Sequence, residues 1–318
     1  MENPLLSTVS QALLPSAITI GVGAVWRRFE PGGVDYREVR RTIGVLVLNL
    51  FYPAMILAVI PTVPLSTDII AAPLLFASGG LVVIGLLGLA RRHLLARGFS
   101  PSQFAVLMLT SAYANIISLG IPVLQADGGP SAARYAIYVD LLAVSPMFWL
   151  LGVWIASRGV PDALGKTNPA SFLRTFLMLP PVWAFVLAVA LNHFGLTLPA
   201  PAQIAAAGLG AATLPAMLLT VGMALSIGGV VRYRGVIAVA AILKLLVMPA
   251  VVFTIGHLSI GPSAVLHSAV LLAATPTMMA TLILSERFRL DTEMLAAILV
   301  ATTALFFFTL PAWLWLLN

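Results

Sequence analysis

Cysteine is absent from the 318 residues. That excludes disulfides, thiolate metal sites and thiol nucleophiles together. Charge is scarce as well: 9% of the chain is Asp, Glu, Lys or Arg, against about 25% in an ordinary soluble domain. The four histidines, His93, His193, His257 and His267, are scattered without ligand spacing, which argues against a metal site. No histidine or acid stands where it could activate the Ser and Thr residues that lie deep in apolar runs, so enzyme chemistry is disfavoured too. The net charge of +6 comes from basic residues placed singly between apolar stretches, and these form no stripe for nucleic acid.

What the chain has instead is apolar length. Sixty per cent of it is hydrophobic and its mean hydropathy is +1.05, the composition of a chain whose main solvent is lipid. A membrane-spanning helix needs about 20 mostly apolar residues. Ten such runs are expected, at 8–26, 43–61, 69–90, 102–124, 134–157, 173–192, 203–227, 235–258, 263–285 and 293–316. No positive segment precedes the first run, so it reads as a retained helix rather than a signal peptide. Fifteen of the seventeen basic residues fall at the odd-numbered joints; Arg134 alone occupies an even-numbered one, and Lys244 lies within a span. Lys and Arg are held on the cytoplasmic side. The expectation is therefore a multi-pass protein of the cell (inner) membrane with both termini outside the cytoplasm.

The two halves echo each other. Tyr52-Pro53-Ala54-Met55-Ile56-Leu57 in the second span matches Leu214-Pro215-Ala216-Met217-Leu218-Leu219 in the seventh, 162 residues on. At nearly the same offset Asn115 in the fourth span aligns with Pro276 in the ninth. A repeat of five spans is odd, so the second copy enters the membrane from the opposite side. The domain plan that follows is a first repeat over 1–157, a short cytoplasmic linker over 158–171 and a second repeat over 172–318.

Polar and helix-breaking residues interrupt both spans of that second pair. The fourth reads Thr110-Ser111-Ala112-Tyr113-Ala114-Asn115-Ile116-Ile117-Ser118-Leu119-Gly120-Ile121-Pro122, where Pro122 lacks an N–H and opposes the Ser118 carbonyl. The ninth reads Ala273-Ala274-Thr275-Pro276-Thr277-Met278. Backbone freed in lipid must meet something polar, so both breaks are expected to face protein or a water-filled cavity near the bilayer midplane. Half-helix N-termini there suit a carboxylate, and exposed carbonyls suit a cation or water. Lys244 is placed to attract an anion, to pair with Asp140, the acid well inside the fifth span, or to snorkel to the interface if its helix starts later; Asp140 also reads as an interfacial carboxylate. Glu286, Arg287, Arg289, Asp291 and Glu293 read as a solvated turn, and Trp26, Trp313 and Trp315 as interfacial anchors.

These motifs resemble the auxin efflux carrier family of membrane transporters over essentially the whole chain. The Asn115-to-Pro122 segment is similar to that family's fourth-helix crossover, Lys244-Leu245-Leu246-Val247-Met248-Pro249 to its eighth-helix element, and Ala273 to Phe288 to its ninth-helix stretch. The resemblance implies an all-α fold of ten transmembrane helices in two inverted five-helix repeats, with scaffold and transport domains and broken, crossing helices 4 and 9. It implies a carrier or uniporter of small carboxylates and makes Asn115 a substrate contact and Pro122 and Pro276 the crossover prolines. The short linker departs from plant members that carry a long loop there, and is closer to a bacterial type.

The expected substrate site is thus Asn115, Ser111, Ser118, Gly120, Pro122, Thr275, Pro276, Thr277, Met278 and Lys244, with no metal or organic cofactor and no nucleic-acid partner. A sodium symporter of the bile-acid type is the alternative, with sodium held by Ser111, Asn115, Ser118, Thr275 and carbonyls, although the crossover holds no acid. A cation/proton antiporter would rest on Asp140 alone. Substrate identity, transport direction, coupling to H⁺ or Na⁺, and oligomeric state, a homodimer included, are left open by the sequence.

Overall fold

The computed structural model describes residues 4–63, 67–159, 174, 177–224 and 229–317. Those residues form twelve principal helices: α1 Pro4–Phe29, α2 Tyr36–Thr62, α3 Asp68–Ala96, α4 Pro101–Ala112, α5 Ile116–Gly128, α6 Pro130–Arg158, α7 Pro180–His193, α8 Ala200–Ala224, α9 Arg234–Ser259, α10 Ala264–Ala273, α11 Thr281–Arg287 and α12 Thr292–Leu317. Among the described residues six helices, α2, α3, α6, α8, α9 and α12, are long and apolar enough to cross a membrane. Each of the ten expected spans falls on helix, the fourth on the pair α4 and α5 and the ninth on α10 and α11. Most of the expected linker, the start of the sixth span and the last residues of the seventh lie outside the described residues.

Apolar side chains cover the outside as well as the core. Leu14, Ile18, Val22 and Val25 on α1, Leu74, Leu81 and Leu89 on α3, and Ile204 on α8 are all exposed. Water would penalise a surface of that kind, whereas hydrocarbon does not.

Local chemistry sets several boundaries. α4 starts at Pro101 behind a reciprocal cap, in which the Ser100 hydroxyl accepts from Gln103 N–H at 3.1 Å and the Gln103 carboxamide accepts from Ser100 N–H at 3.2 Å. α10 starts behind Ser263, whose hydroxyl accepts from Leu266 N–H at 3.2 Å. Four prolines inside helices follow a widened turn, whereas Pro15, Pro73 and Pro311 sit in plain α-helix. The π-helical segments 47–51, 116–120, 140–144 and 242–247 each stand two residues before a proline, namely Pro53, Pro122, Pro146 and Pro249. A proline ring collides with the carbonyl four residues back, and an extra residue in the preceding turn relieves that collision without ending the helix.

The helices pack as two groups. α1 lies along the second half of α8, and α7 lies along α2, which also meets both halves of α8. The α1–α8 contact is backbone on backbone: a Cβ at Gly23 would run into the Leu219 carbonyl oxygen, and one at Gly222 into that of Ile20. Asn192 and Gln203 bind this group at one end, donating to the Ile60 and Val63 carbonyls at 2.6 Å each and to the Ala58 carbonyl at 3.0 Å. The second group comprises α3 to α6 and α9 to α12, with α3 packed on α4 and α10, and α9 packed on α3, α10 and α12.

Candidate functional site

The break between α4 and α5 spans residues 113–115, and the break between α10 and α11 spans 274–280. The two meet. Asn115 N–H donates to the Pro276 carbonyl at 2.8 Å, and Met278 N–H donates to the Tyr113 carbonyl at 3.0 Å, an isolated antiparallel bridge between Ala114 and Thr277. Two interruptions that would each leave polar backbone unpaired in an apolar interior thus satisfy one another.

Pro122 does not make the first break. It is the second residue of a helical stretch downstream of the widened turn 116–120, and the chain leaves helical geometry earlier, at Tyr113 and Asn115. The Asn115 carbonyl accepts from Leu119 N–H at 3.3 Å and Gly120 N–H at 3.2 Å, which restarts the helix. At the second break the Leu272 carbonyl is taken by the N–H and hydroxyl of Thr275, at 3.2 and 2.8 Å.

Two further carbonyls at the helix ends are covered by side chains. Thr277 donates its hydroxyl to the Thr110 carbonyl at 2.7 Å, and Thr302 of α12 supports Thr277, its hydroxyl donating to Thr277 Oγ1 at 3.2 Å and accepting from Thr277 N–H at 3.4 Å. Lys244, fully buried, reaches from α9 to the last carbonyl of α10, Nζ to Ala273 O at 2.6 Å, with Met248 Sδ at 3.5 Å. An ammonium group at the C-terminal end of a half-helix meets both its free carbonyl and its negative dipole end.

Lys244 and Asp140 do not pair. Asp140 is buried rather than interfacial, and its Oδ2 accepts from the Tyr52 hydroxyl of α2 at 2.9 Å, a bond that joins the two helix groups. Trp313 is no interfacial anchor either: it is buried, and its indole N–H donates to the Leu245 carbonyl at 2.9 Å, within a widened turn of α9. Trp26 and Trp315 are exposed. The turn after α11 is more than a solvated loop. Asp291 accepts from the Tyr233 hydroxyl at 3.2 Å, from Gln103 Nε2 at 3.2 Å and from Met294 N–H at 3.0 Å, while its own N–H donates to Ser102 Oγ at 2.8 Å. Burial first, and the Asp291 carboxylate second, hold the Tyr233 hydroxyl above its usual range.

Three of the expected site residues keep polar atoms that nothing satisfies: Asn115 Nδ2, Ser111 Oγ and Ser118 Oγ, all buried. Thr275 and Thr277 are engaged by the protein itself, Gly120 lets the turn approach Leu272 and Thr275, and Met278 is half-buried. A Cβ at Gly120 would stand 2.7 Å from Leu272 Cδ2. Just beyond the first break, a cavity of about 410 Å³ opens between the two groups, lined by Ser16 and Thr19 of α1, Pro122 and Gln125 of α5 and Pro215 and Leu218 of α8. Pro122 is the one expected site residue on its wall. Tyr138 OH and Thr213 Oγ1 are also buried without partners. Sequence reasoning passed over these two, as it did Tyr52 and Thr302, because a single hydroxyl in an apolar run carries no periodic signal.

A family model described as membrane transport protein matches residues 34–314. The chain belongs to that family. It is the auxin efflux carrier family that the motifs resemble. An uncharacterized transporter of Methanocaldococcus jannaschii is 28% identical over 216 residues, 66% of this chain and 68% of the relative. An uncharacterized transporter of Methanothermobacter thermautotrophicus is 24% identical over 288 residues, 88% of this chain and 90% of the relative. The transporter is accordingly a multi-pass membrane protein and not an enzyme.

Proposed function

We propose that this transporter moves small organic anions across the cell membrane by alternating access, with the substrate held where α4–α5 crosses α10–α11. One observation carries the reading: at the meeting of two interrupted helices, Asn115 Nδ2 is a buried donor without an acceptor, and the buried hydroxyls of Ser111 and Ser118, each able to donate, have no partner. A carboxylate supplies acceptors and no donors. Charge supports the same choice, because the segments 110–122 and 273–281 contain no acid and Lys244 stands beside the second break.

The sodium-coupled alternative draws less support. A sodium ion needs several oxygen ligands, commonly a carboxylate among them; the crossing segments hold no acid, the carbonyls of Thr110, Leu272 and Ala273 already accept from Thr277, Thr275 and Lys244, and of the expected side-chain oxygens the Ser111 and Ser118 hydroxyls are unengaged.

In this reading the helices make ten passes, α4 with α5 counting as one and α10 with α11 as another, in two inverted repeats and with both termini outside the cytoplasm. Packing supports it: α1 on α8 mirrors α7 on α2, and α3 on α4 mirrors α9 on α10. The group α1, α2, α7 and α8 would be the scaffold and the remainder the moving domain. Proteoliposomes loaded with the purified protein should take up labelled malonate or benzoate without sodium, and Asn115→Ala should raise the half-saturation concentration about tenfold, the scale of one or two hydrogen bonds to a charged group. Uptake of no carboxylate at all, or an Asn115→Ala variant indistinguishable from wild type, would sink the proposal.

A further inference from the structure

A second cavity, of about 630 Å³, lies away from the crossing, among the end of α5, the start of α6, the end of α9, the turn into α10 and the end of α12. None of the expected site residues lines it. Its walls carry an unusual share of cationic and imidazole groups: Arg134, His257 and His267 are all on it. Arg134 is also the one basic residue at an even-numbered joint, which the orientation rule leaves unexplained.

The acid on the wall is already committed, since Asp127 Oδ2 lies 2.7 Å from His267 Nε2 and ties the end of α5 to α10. Arg134 is held in place without a direct ion pair among the described residues. Its NH2 donates to the Tyr135 hydroxyl at 3.0 Å, its guanidinium lies 4.7 Å from the centre of the Tyr135 ring, and that hydroxyl donates onward to Asp68 at 3.1 Å. A guanidinium anchored at one edge keeps N–H groups for an outside acceptor. Opposite in chemistry is a flat wall, where Phe253 and His257 stack with centroids 5.7 Å apart and planes 22° apart. The N-terminal turn of the ten-residue α10 opens on the same space through Ser263 and Ala264. A volume of several hundred Å³ with one apolar face and a few convergent donors is the usual form of a small-molecule site.

We propose that this cavity is a second binding site, for small organic anions with a flat apolar body: Arg134 takes the charged group and the Phe253–His257 pair takes the ring. It is independent of the crossing site and stands whether or not that site holds substrate.

Benzoate is the probe, with benzamide as its neutral counterpart, and binding is read by calorimetry and by the melting temperature of the detergent-purified full chain. Arg134→Gln should weaken benzoate binding about tenfold or more, the scale expected for charge-assisted hydrogen bonds to a carboxylate. His257→Ala should weaken it severalfold through the lost stacking face. Asn115→Ala should weaken only the crossing-site event and leave a benzoate-binding event that adding Arg134→Gln then removes, and benzamide should produce none. Should Arg134→Gln fail to fold, Arg134→Lys and His257→Ala carry the test, since the lysine keeps the charge and loses the fork. Benzoate binding unchanged in the Arg134 and His257 variants, or abolished by Asn115→Ala, overturns the second site. The first of those results leaves the crossing proposal untouched, and the second assigns all binding to it.

Discussion

At the scale of single residues, the polar side chains of the interior divide by whether the protein already uses them. Lys244, Thr275 and Thr277 spend their donors on the carbonyls that the broken helices expose. Lys244→Met keeps much of the bulk and leaves the Ala273 carbonyl bare, so it should lower stability by about 1–3 kcal/mol, the cost of an unsatisfied buried group. A depressed melting temperature with the fold retained by circular dichroism would be the sign. Tyr233 offers a pH test outside the membrane. Its hydroxyl is held above the ordinary tyrosine value, so the bond to Asp291 contributes in full below about pH 10 and is lost as pH rises through the raised value. Tyr233→Phe should therefore destabilise the protein by about 1 kcal/mol at neutral pH. In strongly alkaline buffer the difference should vanish; a constant difference across that range would show that Asp291 does not depend on the hydroxyl.

At the scale of helices, two devices recur. One is the widened turn before a proline, which inserts a residue and so turns the upstream face of the helix relative to the downstream one. In α9 that turn holds Lys244 and precedes Pro249. Pro249→Ala removes the ring that requires it, and an α-helical relaxation would swing Lys244 off Ala273. The loss of stability in Pro249→Ala and Lys244→Met together should then be well short of the sum of the two, which a double-mutant cycle measures. Additive losses would mean that the turn survives without its proline. The other device is close backbone approach. At Gly222 a methyl group would collide with the Ile20 carbonyl, backbone that cannot step aside. Gly222→Ala should part α1 from α8 and sharply reduce the yield of monodisperse protein, whereas Gly208→Ala, whose added Cβ meets nothing, should be tolerated.

At the scale of the molecule, the two helix groups touch across the 410 Å³ cleft and through the Tyr52–Asp140 bond. Transport by alternating access requires that contact to change. Because the chain has no cysteine, cross-linking needs no background substitution. Thr19→Cys with Gln125→Cys places one thiol on α1 and one on α5 across the cleft. A short thiol-reactive cross-linker with a reducible spacer should stop uptake, reductant should restore it, and either single variant should be indifferent. Full uptake in the cross-linked protein would rule out motion between these groups.

Much was legible from residue order alone. Apolar runs of about membrane length dictate helices, since the backbone can satisfy itself in oil in few other ways. The same principle located both interruptions to within a few residues, because Asn115, Gly120 and Pro276 are poor choices for an uninterrupted helix in lipid. Partnership was not legible. Whether Lys244 meets Asp140 or Ala273, whether Trp313 faces headgroups or a carbonyl, and which hydroxyls are spent on backbone depend on the rotation and depth of each helix against its neighbours. Those are set by packing contacts between segments far apart in the chain, among them the extra residue in each widened turn and the glycines where backbones touch. Sequence determined the solvent, the helices and the places where they break; the tertiary structure decided which of the freed polar groups find each other, and so which stay unpartnered.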